Sequence, residues 1–202
     1  MGLNRALHFG AMDASPPGSC PIDDVIVAPP PGKAGAQHAE REAFLALSET
    51  LSRAPQAAPQ RLIETAMRLA GGNSAGISLE DVEGEEPVFR WVAVAGELSP
   101  YLNGTMPRHF SPCGTVLDRR QALVMRDPAR HYEYISQLNV PVRSALLVPF
   151  GRQGRLIGTV WVTTSRQDKQ FTAEDVRTVE ALTTFSTAIL DTVEKRHRRG
   201  RA

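Results

Sequence analysis

Residues 144–164, SALLVPFGRQGRLIGTVWVTT, place two apolar runs on either side of a short glycine-bounded loop. Residues 144–150 and 156–164 are rich in Val, Leu and aromatic side chains, and Gly151 and Gly154 close the connection at both ends. Such runs joined by so few residues predict an antiparallel hairpin, because a parallel pair needs a crossover of a dozen residues or more. A two-stranded hairpin is marginal by itself, so the rest of the chain has to supply further strands or helices.

It supplies both. Residues 74–79 and 88–95 read as two more strands, separated by the acidic turn EDVEGEEP. In the second of these, Val88, Arg90, Val92 and Val94 alternate with Phe89, Trp91, Ala93 and Ala95, which predicts one buried face and one that meets a helix or a ligand. Residues 122–125 form another short apolar run. A helical spacing of three and four recurs in Phe44, Leu47 and Leu51 (residues 38–53), and again from Pro59 through Leu62, Ile63 and Ala66 to Gly71-Gly72. At the other end Thr172 offers an N-cap hydroxyl, with Glu174 and Asp175 in the first turn. Val176, Val179, Leu182, Phe185, Ile189 and Val193 then mark one face of a long helix running to about His197. The order of elements predicts an α+β fold: a mainly antiparallel central sheet flanked by N- and C-terminal helices.

Composition divides the chain of 202 residues into three parts. Residues 1–37 are a Pro- and Gly-rich leader expected to be flexible, with Cys20 inside it and Val25-Ile26-Val27 as a possible edge strand. Residues 38–194 form the domain, and residues 195–202, KRHRRGRA, form a basic tail. That tail holds five of the 23 Lys and Arg and none of the 22 acids, leaving 18 basic against 22 acidic side chains in residues 1–194. A mildly acidic domain is not one built around a nucleic-acid backbone. No run approaches a membrane span, and the N-terminus lacks the apolar core of a signal peptide, so a cytoplasmic protein is expected. Cys20 and Cys113 match neither a disulfide framework nor a CxxC motif. The histidines at 8, 38, 109, 131 and 197 form no compact metal spacing, and no phosphate-cradling loop, triad or paired-carboxylate motif is present.

Residues 146–185, LLVPFGRQGRLIGTVWVTTSRQDKQFTAEDVRTVEALTTF, resemble the GAF domain, a sensory fold related to PAS domains. The shared features are a strand with a proline near its tip, a glycine turn, the segment Ile157-Gly158-Thr159-Val160-Trp161, and Phe171-Thr-Ala-Glu-Asp175 opening the last helix. Residues 106–135, MPRHFSPCGTVLDRRQALVMRDPARHYEYI, are similar to GAF domains in or near bacterial sensor kinases of two-component systems. The resemblance covers about residues 45–194. It implies a sensory or regulatory role, a ligand enclosed beneath the middle segment, and a homodimer formed through the terminal helices, with a signalling protein as a further partner. The family binds cyclic nucleotides, haem, bilins, amino acids or 2-oxo acids, so the cofactor stays unspecified.

Within that frame Phe110, His131, Tyr132 and Tyr134, with Trp91 from the sheet, are the candidate ligand-binding aromatics, and Cys113 joins them. With Ser111 as N-cap and Pro112 as the first helical residue, Cys113 occupies a position where free N–H groups favour a thiolate. The same spacing stacks it with Val116 and Leu117 as a small packed hydrophobe. Both readings stand at this point. The bilin-attaching members carry histidine after the anchoring cysteine, whereas Gly114 stands here. Three functions follow: a stand-alone ligand-sensing domain, a structural dimerisation module, or a thiol enzyme resembling free methionine sulfoxide reductases that uses Cys113. The first is the leading expectation, and a non-enzymatic protein goes with it.

Overall fold

Strand pairing in the computed structural model, which describes residues 34–189 and their side chains from His38 onward, follows the two hairpins. Strands β1 (Ser74–Glu83) and β2 (Glu86–Gly96) form one, and β5 (Ser144–Arg152) and β6 (Arg155–Thr164) the other. They join through an antiparallel β1–β6 pair. The short β3 (Thr105–Pro107) and β4 (Leu123–Arg126) extend the edges, giving an antiparallel six-stranded sheet in the order β3-β2-β1-β6-β5-β4. The α+β architecture is the expected one, and β3 is an addition to it.

The loop between β5 and β6 is tighter than expected. Gly151-Arg152 and Arg155 belong to the strands, and the turn is only Gln153-Gly154, at φ +50° and +80°. Positive φ at both central residues suits the right-handed twist of the flanking strands.

Helices α1 (Ala34–Arg53), α2 (Ala58–Ala70) and α4 (Ala173–Thr183) cover one sheet face. Leu47, Leu62, Ile63, Val179 and Leu182 are fully buried there against Ile77, Leu146, Val160 and Val162. Phe44 of α1 stacks on Phe185 with ring centres 5.7 Å apart, and Thr178 donates a short hydrogen bond to Glu40. The described part of the stripe expected on the last helix is thus directed at the chain's own sheet and first helix.

The last helix begins as anticipated and is interrupted within the described residues. Thr172 Oγ1 accepts from the Asp175 amide at 3.2 Å, while the Asp175 carboxylate accepts the Thr172 amide at 2.8 Å, a complete capping box. The helix is interrupted at Thr184 and Phe185 before residues 186–189 turn again. There the hydroxyls of Thr183 and Thr184 donate to the carbonyls of Val179 and Ala181, and the Thr184 and Phe185 amides bond three residues back rather than four. Threonine hydroxyls that compete for backbone carbonyls tighten and bend a helix, which a reading of apolar periodicity does not register. Cys20, the run 25–27, Val193 and the basic tail lie outside the described residues. Among the described residues no helix is long and apolar enough to cross a membrane.

Candidate functional site

The second sheet face is covered by chain with little regular structure. Residues 97–143 cross it as short turns, β3, the helix α3 (Pro112–Arg119) and β4. Salt bridges fasten the first half of this cover. Arg108 Nε lies 2.6 Å from Glu80, its Nη2 lies 2.8 Å from Asp118, and its guanidinium sits over the Phe89 ring. Arg90, held within the sheet by Asp81 at 2.7 Å, donates to the Asn103 carbonyl at 3.0 Å, and Thr105 Oγ1 donates to Glu83.

Between cover and sheet lies a cavity of about 70 Å³ whose wall is almost wholly apolar. Trp91, Cys113 and Tyr134 line it, together with Tyr101, Met106, Ala145, Leu147 and Trp161 among others. The placement of Trp91 depends on a β-bulge. Ile77 of β1 pairs with Ala93, yet the next residue, Ser78, pairs with Trp91, so Val92 is the extra residue. The bulge reverses the alternation of β2. Phe89 and Trp91 join the cavity-side core, whereas Ala93 and Ala95 join the helix-side core. The simple alternation expected for residues 88–95, with these four side chains on one face, is corrected accordingly.

Trp161, from the Ile157–Trp161 segment, forms part of the floor, with its ring centre 4.8 Å from that of Trp91. It crosses β1 at Gly76, where an added Cβ would stand 2.3 Å from Trp161 Cζ2. The Trp161 indole N–H donates to Ser78 Oγ at 2.9 Å. Cys113 Sγ also contacts Ser78 Oγ, at 3.5 Å, and Thr159 Oγ1 donates to the sulfur at 3.2 Å. A buried polar cluster therefore ties α3 to β1 and β6.

Cys113 sits where both sequence readings placed it. Ser111 caps α3, accepting from the Gly114 amide at 3.1 Å, and Pro112 is the first helical residue. The thiol is nevertheless buried, and burial pushes its pKa up despite the opposing hydrogen bonds with Thr159 and Ser78. Desolvation prevails over the helix terminus, and the thiol stays neutral. Gly114 is required by close approach, since a Cβ there would lie 2.1 Å from the Arg108 carbonyl oxygen. That clash gives a physical reason for glycine, rather than histidine, after Cys113.

Of the other candidates, Phe110 and Tyr132 pack around Tyr134, with ring centres 5.4 to 6.4 Å apart, and stand behind the cavity wall rather than on it. The Tyr132 hydroxyl shares a 2.6 Å hydrogen bond with Thr115. Burial, with Cys113 and Tyr132 nearby, holds the Tyr134 phenol well above its usual pKa. His131 is exposed and does not line the cavity. Among the lining residues not anticipated, Ala145, Leu147 and Trp161 alternate with the helix-side Leu146, Val160 and Val162, so strand period was the available signal. Leu98, Ile135, Leu138 and Val142 come from irregular chain and carry no such signal. The described residues contain no cluster of His, Cys, Asp and Glu suited to a metal ion.

The GAF domain of a phosphoenolpyruvate-protein phosphotransferase from Acinetobacter is similar to this chain, with a TM-score of 0.64 at 14% identity over 83% of this chain and 97% of that one. Free methionine-R-sulfoxide reductase from Neisseria meningitidis, solved with its substrate, gives 0.63 at 17% over 85% and 99%. A phycoerythrobilin-bound GAF domain from a cyanobacterial phytochrome gives 0.59 at 12% over 82% and 100%. At these identities the likeness is one of fold. No curated protein sequence matches the chain. The GAF domain family itself matches residues 55–189, well over half of the sequence and the stretch containing both sheet hairpins and the cavity cover. The chain belongs to the GAF domain family.

Proposed function

We propose that this chain is a sensory domain that takes up a small molecule between the inner sheet face and residues 97–143, and that occupancy alters the order of that cover. The observation that carries this reading is the almost wholly apolar cavity of about 70 Å³ between sheet and cover. Largely apolar cavities with few polar groups are the usual form of ligand sites. A module serving only to hold helices together gains nothing from such a cavity.

Two neighbours of this fold, the phycoerythrobilin-bound domain and the reductase solved with its substrate, are consistent with a ligand-enclosing role. Cys113 is part of the wall in this reading, and its buried neutral thiol is unsuited to nucleophilic attack. Output is assigned to the cover rather than to the last helix, because Val179, Leu182 and Ile189 are buried within the chain. A homodimer through the terminal helices then involves residues of those helices other than these three.

Amide hydrogen exchange of the purified protein, with and without a small-molecule extract of cells, tests the reading. Slower exchange concentrated in residues 97–143 and in β2 and β5 is expected. Unchanged exchange throughout the domain contradicts it.

A further inference from the structure

We propose that the group enclosed in this cavity is an uncharged hydrocarbon that makes no hydrogen bond to the wall. The inference rests on the cavity being a binding site and adds the chemistry of what it holds.

Polar side chains surround the cavity, but their polar atoms are engaged elsewhere. Cys113 Sγ accepts from Thr159 and contacts Ser78 Oγ, which also accepts the Trp161 indole N–H. Thr105 donates to Glu83, the Tyr101 hydroxyl accepts the Asn139 amide, and the Tyr134 hydroxyl donates to Met106 Sδ at 3.8 Å. The indole nitrogen of Trp91 is buried with less than 1 Å² accessible, so it shows the cavity no surface. Thr163 and Gly104 also border the space, yet the wall they share in is almost wholly apolar. An occupant therefore meets little besides hydrocarbon.

No Lys, Arg, His, Asp or Glu lines the cavity. A carboxylate, phosphate or ammonium enclosed there would lose its hydration without a countercharge. A neutral carbonyl or hydroxyl is disfavoured as well, since leaving its hydrogen bond unmade weakens binding about tenfold or more. A water bridging it to the wall would need about two to four polar partners, which the wall does not offer. Size sets the scale. A cavity of about 150 Å³ accepts benzene, so the present 70 Å³ suits roughly three to five carbon atoms. That group is either a whole small molecule or the end of a longer one, because Ile135, Leu138 and Val142 of the wall also border a groove open to solvent.

The test adds small probes to the full-length protein carrying ¹³C-labelled methyl groups. Isobutene, acetone and acetate share one branched outline and differ in bearing a methylene group, a carbonyl oxygen or a charge. Hexanoate has a hydrocarbon end and a carboxylate that can remain in water. Isobutene is expected to displace the methyl signals of Ala145, Leu147 and Ile135 at the cavity, and not those of Leu62 and Ile63 on the helix side. Acetone is expected to bind at least about tenfold more weakly, and acetate to leave all these signals in place. Displacement of the Ala145 and Leu147 signals by hexanoate, alone or together with isobutene, identifies the group as the end of a longer molecule. Displacement by isobutene without hexanoate identifies a whole small molecule.

Acetone binding as tightly as isobutene overturns the proposal, because the wall then supplies a hydrogen bond, and it leaves the cavity standing as a site. Acetate displacing the cavity signals overturns it in the same way. If none of the probes displaces the signals of Ala145 and Leu147, the reading of the cavity itself fails with it.

Discussion

Burial and a helix terminus act on Cys113 in opposite senses. The free N–H groups at the start of α3 favour a thiolate, but loss of water from a side chain only 2% exposed disfavours the charged form more strongly. Alkylation of Cys113, measured in a Cys20→Ser background, is therefore expected to be slow in the native protein and to become fast once the protein is unfolded. Rapid native labelling would return the thiol to the list of nucleophiles. The same shift has a signed consequence for stability. The pKa of the folded thiol is raised above its ordinary 9.0, so the stability that it supports is whole below that value and is lost as pH rises toward the folded pKa. The advantage of wild type over Cys113→Ala, on the order of 1 kcal/mol from lost packing and hydrogen bonding, is expected to hold below pH 9.0 and to shrink above it in urea titrations. An advantage that grows with pH would contradict the shift.

At the scale of elements, the cavity depends on two local devices, the bulge at Val92 and the missing side chain at Gly76. Gly76→Ala sets a methyl 2.3 Å from Trp161 Cζ2 and 2.7 Å from the Ala93 carbonyl oxygen. Overpacking of this kind costs about 1–3 kcal/mol, and it is expected to change tryptophan fluorescence because the indole of Trp161 has to move. Thr172→Ala, which removes the cap of α4, is expected to cost about 1 kcal/mol without altering that fluorescence. These differences separate what was legible in the sequence from what was not. The hairpins, the α4 cap and the start of α3 were legible because each is encoded within a few residues. The inward turn of Trp91 was not derivable from alternation, since one inserted residue reverses the phase and only the pairing with β1 reveals it. The residue types mark Phe110 and Tyr132 as ligand-binding aromatics, yet they stand behind the wall, because which aromatics are in front depends on how irregular chain folds over the sheet. His131 belongs to that segment by sequence, but the short turns around it leave it exposed.

The whole molecule has two faces with different roles. Three helices seal one side of the sheet with Leu, Ile and Val, while the other side is closed by chain whose wall residues Ile135, Leu138 and Val142 also border a groove open to solvent. Packing that is dense on the helix side and incomplete on the other makes the irregular cover the part able to respond to an occupant. The central claim, that the cavity takes up a small molecule, is tested most directly by native mass spectrometry of wild type and Ala145→Leu purified from cells. The larger side chain projects into the cavity wall and fills the space while remaining apolar. The account predicts a retained molecule on the wild type that is released on denaturation and absent from the variant. A wild type that carries nothing, or a variant that carries the same mass, would contradict it.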